Sequence, residues 1–348
     1  MEAFHGRTAN DVWRRAHAAV MSPRAGQSVQ PSRAGDTREL LHVALEVEDP
    51  RQRWVTSRHP AINPAFALAE VLWMLVGSND ASFLNYWFPG LPEFSGKGPT
   101  YAGAYGHRLR RHFGVDQLQR ACDALSSDPT SRQVVLQLWD VNADLPNADG
   151  TSRAPDIPCN VVSLLKVRSG RLEWTQIMRS TDLHRGLPYN LLQFTVLQEV
   201  VAGCLGIEVG GYHHWCDSLH AYVDAMQQFS CGEPLAEKEN TDSLALGLRE
   251  AGLVLDEIFS RAHALTSQEV TAGRLEQLAA MPEAPSGYQN WLRILAAESA
   301  RRRQRHDQAE EVMARCTNPQ LSDVWSAWGQ RVGGQPTGRP AQERTVVE

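Results

Sequence analysis

Apolar and polar residues alternate over 40–48, the period of a strand with one face buried. Asn63-Pro64 then opens an apolar run that predicts a helix to about Val76, with Asn63 as N-cap, Pro64 at the first helical position and Gly77 as the stop. A second helix is predicted from an Asp116 cap to Ala124. The stretch 134–139 reads as a strand, 161–167 and 172–178 as a hairpin across Ser169-Gly170, and 191–205 as a long apolar helix closed by Gly206. Strands interleaved with large helices predict an α+β fold, a mixed sheet with helices packed on one side.

Beyond residue 235 the pattern changes. Segments 243–260, 262–280 and 288–314 read as helical, Pro282-Glu283-Ala284-Pro285-Ser286-Gly287 as a loop, and no strand is predicted. The predicted organisation is a polar, mobile leader over 1–30, a main domain over 31–235, a helical C-terminal region over 236–330 and a disordered tail over 331–348.

A chain of 348 residues, 42% of them hydrophobic, can bury a substantial core. Its net charge of −6 argues against a surface that coats nucleic acid. The tract Arg301-Arg302-Arg303-Gln304-Arg305 lies on a predicted helix ahead of Glu310-Glu311 and reads as a solvated face. The six cysteines show no paired metal spacing, and no apolar run resembles a signal peptide or a membrane span. A reduced, cytoplasmic protein follows, with no membrane partner. In His213-His214-Trp215-Cys216-Asp217 only alternate residues of a strand could share an ion, so no metal site is expected.

The candidate chemistry centres on Asp156-Ile157-Pro158-Cys159-Asn160. Pro158 removes a backbone donor and fixes φ, which puts Cys159 at a strand entrance. Taken alone, Cys159 would be core filler. Its surroundings reverse that reading, because Arg179-Ser180-Thr181-Asp182, Gly186-Leu187-Pro188-Tyr189-Asn190 and Ser218-Leu219-His220-Ala221-Tyr222 place further polar residues at turns and strand ends. An arginine near a thiol stabilises the thiolate or binds the phosphate of what the thiolate attacks.

These segments resemble the thymidylate synthase superfamily, which includes the pyrimidine nucleotide hydroxymethylases. The resemblance extends upstream through Ser32-Arg33-Ala34-Gly35-Asp36-Thr37, Ala69-Glu70-Val71-Leu72-Trp73-Met74-Leu75, Ala104-Tyr105-Gly106-His107-Arg108 and Ser131-Arg132-Gln133, and covers roughly residues 30–230. It implies the thymidylate synthase-like sheet and a folate-dependent transfer of one carbon to C5 of a pyrimidine nucleoside monophosphate, with 5,10-methylenetetrahydrofolate as co-substrate and no metal. A C5 carbon is a weak nucleophile until a thiolate adds at C6 and makes an enolate. Cys159 fills that role, and because an ordinary thiol of pKa ~8.5 is only a few per cent ionised at neutral pH, nearby positive charge matters.

By the same resemblance Arg33, Arg179 and Ser180 bind the phosphate, joined by Arg132 from the partner of a homodimer whose sites are shared. Ser180 is the residue type usual in deoxynucleotide members. Asn190 reads the base, its amide pairing with uracil N3–H and O4, which favours dUMP over dCMP. From the residues alone, Asn190 is equally a turn residue or the N-cap of a helix starting at Leu191. His220 and Tyr222, at alternate strand positions, clamp the sugar; without the resemblance they read as a half-buried pair. Glu70 organises water and moves protons, with Tyr105 in support; its alternative is a solvent-facing carboxylate. Asp182 orients the pterin, and Gly186 belongs to the same cofactor-side turn.

The chain departs from the family at Asn160, where the synthases carry histidine beside the nucleophile, at Met178, where they carry glutamine, and at Gln133, where a second phosphate arginine is usual. Trp87-Phe88-Pro89-Gly90 and Phe94 match the indole-rich shield poorly, and Thr345-Val346-Val347-Glu348 is not the short apolar closing segment. Closure excludes water. The reading puts methylation of dUMP to dTMP first, 5-hydroxymethylation of dUMP, dCMP or CMP second, and a non-catalytic nucleotide-binding protein third.

Overall fold

The computed structural model describes residues 1–22, 29–32, 34–233 and 238–333. Its strands are β1 Glu2–Gly6, β2 Val29–Gln30, β3 Thr37–Val47, β4 Arg58–His59, β5 Val135–Gln137, β6 Asn160–Arg168, β7 Arg171–Met178, β8 Thr181–Asp182, β9 Glu208–Tyr222 and β10 Ser230–Cys231. The main sheet runs β1-β3-β9-β7-β6-β5, with β2 beside β3 and β8 beside β9. It is mixed: β1 with β3 and β7 with β9 are parallel, the other main pairs antiparallel. Ser169 and Gly170, both at positive φ, close the β6–β7 hairpin in the two-residue turn whose twist suits the strands.

The helices are α1 Ala9–Met21, α2 Pro64–Leu75, α3 Ala81–Trp87, α4 Pro92–Ser95, α5 Tyr105–His107, α6 Gln117–Ser127, α7 Val141–Asp144, α8 Leu187–Leu205, α9 Leu248–Ala264, α10 Ala272–Ala279, α11 Ser286–Arg302, α12 His306–Met313 and α13 Pro319–Gly333. Helix α8 is apolar almost all round and buried accordingly, with the sheet on one side and α2 on another. Asn63 caps α2 by accepting from the Phe66 amide, Asp116 caps α6 by accepting from the Gln119 amide, and Gly206 ends α8 in the left-handed region. No helix among the described residues is long and apolar enough to cross a membrane.

The leader expected to be mobile is instead folded over the residues described. Strand β1 pairs with β3 from Glu2↔Val43 to Gly6↔Val47, and α1 buries Val12, Trp13, Ala16 and Val20 against the core. The cause was present in the chain: Thr8 and Asp11 form a reciprocal capping box ahead of an apolar stripe of helical period. The Trp13 indole donates to the Leu183 carbonyl at 2.8 Å, tying this segment to the turn before α8.

In the C-terminal region the helices are shorter than their pattern suggested. Thr271 caps a separate α10, and Gln304 at φ 60° breaks the long stretch into α11 and α12. Asn318 accepts from the amides of Gln320 and Leu321 ahead of Pro319, the same signal as Asn63-Pro64, and starts α13. That helix runs to Gly333, so the first residues of the expected tail are helical; 334–348 lie outside the described residues. Helices α9, α11 and α13 pack on α2, and Arg302 donates to the backbone carbonyls of Tyr86 and Trp87.

Candidate active site

Cys159 lies half-buried at the entrance to β6, where the pairing with β7 carries a bulge between Asn160 and Val162. Arg179 follows the end of β7. Its amide donates to the Cys159 carbonyl at 2.9 Å and its Nε to the Pro158 carbonyl at 3.0 Å, while Nη2 reaches the Ile157 carbonyl at 3.3 Å. The guanidinium also lies over the Trp139 ring, 5.5 Å from its centroid. Arginine and thiol are therefore held together through backbone, and the arginine side chain stays exposed to solvent. Trp139 was not singled out in the sequence; only its place at a strand end hinted at it.

Glu70 interrupts the buried face of α2, and desolvation pushes its carboxyl up to about 7. A hydrogen bond from Gln193 opposes that shift, and the charge of Asp156 adds to it. Tyr105 reaches the same place because Gly106 docks α5 on the end of α2: a Cβ on Gly106 would lie 2.0 Å from the Met74 carbonyl oxygen. The Tyr105 ring stacks on Phe194 at 5.9 Å. Burial, then the negative charges of Cys159, Asp156 and Glu70, push its hydroxyl well above the usual range, against the pull of Arg179. Tyr105 thus remains a proton donor beside the thiol and both carboxylates. Asp156, which accepts from the Gly103 amide at 2.8 Å, was missed as a candidate site residue although it stands three places before Cys159.

The elevated Glu70 value makes stability depend on pH. Between the ordinary 4.5 and about 7 the folded state holds more protons than the unfolded one, so wild-type stability falls as pH rises through that window. The interval corresponds to about 3 kcal/mol. Glu70→Gln removes the ionisation and should be more stable than wild type by up to about that amount at pH ~8.5, with the advantage shrinking toward pH ~4.5. Urea denaturation of both proteins across this range measures it, and a pH-independent difference would show that Glu70 titrates normally.

Asn190 stands inside the first turn of α8, three residues after its start, which removes the N-cap alternative. Its backbone amide donates to the Gly186 carbonyl at 2.9 Å and its side-chain Nδ2 to Gln193 Oε1 at 3.3 Å. Gly186 keeps the turn tight, since a Cβ there would lie 3.2 Å from the Asp182 carbonyl oxygen. Asp182 spends Oδ1 on the amides of His184 at 2.7 Å and Arg185 at 2.8 Å, fixing the turn into α8. Pairing of β8 with β9 sets Asp182 opposite His220, and Ser180 Oγ lies 3.3 Å from His220 Nδ1. The rings of His220 and Tyr222 meet edge to face at 5.4 Å. Burial, then the Asp182 charge, raises the Tyr222 hydroxyl, and its bond with Ser32 lowers it. Arg33, next to Ser32, lies outside the described residues.

Two expected site residues stand apart. Arg132 is exposed with Gln133 in the loop leading to edge strand β5, and among the described residues none of the contacts given above involves it. Asn160 is fully buried behind Cys159, with Oδ1 accepting from Gln176 Nε2, itself held by Ser163 and Trp174. Among the described residues its Nδ2 has no hydrogen-bond partner. Trp87 is fully buried beneath α11, whereas Phe94 is 44% exposed and stacks on Phe88. His213 and His214 point to opposite sides of β9, and His214 Nδ1 meets the Tyr212 hydroxyl at 3.0 Å.

The thymidylate synthase family model matches residues 32–253, more than half of the chain and the whole of the constellation just described. The chain is 35% identical over 198 residues to the deoxyuridylate hydroxymethyltransferase of Bacillus phage SP01, covering 54% of this chain and 51% of that one. It is likewise 35% identical over 195 residues to the enzyme of the same name from Pseudomonas phage M6, with 54% of each covered. It is 33% identical over 175 residues to the thymidylate synthase of Symbiobacterium thermophilum, covering 46% of this chain and 59% of that one. The chain thus spans about half the length of these curated relatives. With its mixed sheet and helices and a family match that runs across the Pro158-Cys159, Arg179 and Asn190 segments, this chain belongs to the thymidylate synthase family.

Proposed function

We propose that this protein is a folate-dependent enzyme that transfers one carbon to C5 of dUMP, and that its product is the 5-hydroxymethyl nucleotide. The observation that carries the transfer is the convergence of a half-buried thiol, a carboxyl poised near neutrality and a tyrosine held protonated, with the Asn190 amide at the mouth of α8. Cys159 adds at C6 of the pyrimidine, and the enolate so formed makes C5 nucleophilic. Glu70 and Tyr105 hold and move protons around C4 and C5. Asn190 accepts from N3–H and donates to O4, Arg179 and Ser180 face the phosphate, and His220 and Tyr222 hold the sugar. Expulsion of Cys159 from C6 completes turnover.

5,10-methylenetetrahydrofolate supplies the electrophilic carbon when bound. The residues suit it: Asp182 keeps one carboxylate oxygen free of the turn amides, and Phe94, 44% exposed, offers a flat apolar face beside Arg185. Water, rather than hydride, is favoured as the last reactant. Trp87 is committed to the core under α11 and cannot shield the site, and the first relatives named are hydroxymethyltransferases. The sum is dUMP, methylenetetrahydrofolate and water giving 5-hydroxymethyl-dUMP and tetrahydrofolate. Methylation is the second reading, supported by the thymidylate synthase relative and by a base reader common to both products.

The test is mass spectrometry of the product from dUMP and methylenetetrahydrofolate, with tritium release from C5 as the measure of turnover. A hydroxymethyl product supports the reading. A methyl product with dihydrofolate absorbance overturns it in favour of methylation, and nucleotide binding without tritium release leaves a binding protein.

The same reading makes the protein a homodimer of a reducing compartment. On the sheet face opposite the helices, Val162, Ile177, Trp215 and Ala44 stand side by side across β6, β7, β9 and β3, all half-buried, an apolar row suited to a second copy. The partner's Arg132 then completes the phosphate site. Arg132→Ala mixed with Cys159→Ser should regain about a quarter of wild-type activity, because half the dimers are hybrids and each hybrid carries one intact site. No rescue, with subunit exchange verified by mass, contradicts the shared site.

A further inference from the structure

We infer that Gln193 is the positioning residue that fixes which way round the Asn190 amide lies, and so sets uracil over cytosine. This rests on the reading of a pyrimidine nucleotide as substrate. An asparagine does not by itself choose between the two bases. Turned one way its amide accepts from N3–H and donates to O4, as uracil requires; turned by half a rotation it donates to N3 and accepts from N4–H, as cytosine requires. Something must hold it in one orientation.

Gln193 lies one helical turn after Asn190 on α8, on the same face, and is only 3% exposed amid buried Leu191, Leu192 and Phe194. A buried amide in such company must find partners for both ends. One end meets Glu70 on α2 and the other meets Asn190. Above pH ~7, where Glu70 is ionised, its carboxylate only accepts, so Gln193 turns its NH2 toward Glu70 and presents Oε1 to Asn190. Only the Asn190 NH2 can meet that oxygen, and it does so at 3.3 Å. The Asn190 Oδ1 then lies on the side of Gly186, where a Cβ would come within 3.6 Å of it. The remaining N–H of Asn190 and its Oδ1 form the pair that matches uracil.

Reading cytosine would set the Asn190 and Gln193 carbonyl oxygens against each other. If Gln193 also turned, its oxygen would face the Glu70 carboxylate. Either way a buried polar group loses its partner, a situation that discriminates between ligands far more strongly than a change in shape. The family's base reader is thus made directional in this chain by a second amide, and the direction originates at the proton-handling glutamate.

Calorimetric titration of dUMP and dCMP at pH ~8.5, where Glu70 is ionised, without folate, into wild type, Gln193→Met and Gln193→Glu tests this. Met keeps the volume and removes both polar ends; Glu keeps an oxygen toward Asn190. In Gln193→Met the dUMP-to-dCMP affinity ratio should fall by about tenfold or more, chiefly through tighter dCMP binding, while Gln193→Glu holds the ratio. Equal weakening of both nucleotides in Gln193→Met, with the ratio unchanged, assigns Gln193 a packing role and overturns the inference. Should Gln193→Met fail to fold, a collapsed ratio in Gln193→Glu overturns it and a held ratio supports it. Wild type that binds neither nucleotide overturns the substrate reading itself, a result distinct from an unchanged ratio.

Discussion

Cys159→Ser is expected to lose C5 tritium release by about four orders of magnitude or more while binding dUMP within severalfold of wild type. A hydroxyl at this position is neither ionised near neutrality nor soft enough to add at C6. Cys216, close enough to feel the charge of Cys159, is buried on the inner side of β9, and desolvation pushes it up to about 12. Binding should survive because Arg179 is placed by the Pro158, Cys159 and Ile157 carbonyls rather than by the sulfur. Equilibrium binding and tritium release on the same preparation separate the two quantities. Activity above a trace would contradict covalent addition, and loss of binding would move Cys159 from the chemistry to the architecture.

Asn190→Asp should shift the uracil-to-cytosine preference by about a thousandfold, measured as the ratio of tritium release from C5-labelled dUMP and dCMP. The carboxyl shares one proton with cytosine N3 and accepts from the N4 amine, whereas uracil keeps its own N3 proton and an ionised oxygen is set against O4. The same substitution should lower dUMP turnover without abolishing it, since Cys159 and Glu70 are untouched. An unchanged preference would remove Asn190 from base reading, and with it the reason for the Gln193 arrangement.

Much of this site was legible in the chain because its residues sit where strands and helices begin or end, and such places carry strong local signals. Pro158 marks the entrance to β6, Gly186 and Pro188 mark the turn into α8, and the alternation of His220 with Tyr222 follows the strand period. Elements with strong stop and start residues, such as α2 and the β6–β7 hairpin, were predicted close to where they lie. The N-terminal strand and helix were missed because a polar surface outweighed a short apolar stripe. The breaks at Thr271 and Gln304 were missed because helical composition continues across them.

What could not be read was coupling between segments distant in sequence. Nothing near Gln193 announces Glu70, more than a hundred positions away, and Asp156 acquires its place beside Tyr105 only when the Gly103 amide folds over it. Trp87 is a further case. Its segment matches the indole-rich shield poorly, and the groups that hold it in the core are distant in sequence: Arg302 of the C-terminal helices and Asn63 donate to its carbonyl. Helices beyond residues 32–253 thus help fix the segment around Trp87.

The account depends on a transient bond between the Cys159 sulfur and pyrimidine C6. Incubation with 5-fluoro-dUMP and methylenetetrahydrofolate, followed by peptide mass spectrometry, tests it most directly, because fluorine at C5 cannot leave as a proton and the adduct accumulates. A ternary adduct mapped to the peptide containing Cys159, absent in Cys159→Ser, is the predicted result. An unmodified Cys159 in protein shown to bind the nucleotide would contradict it.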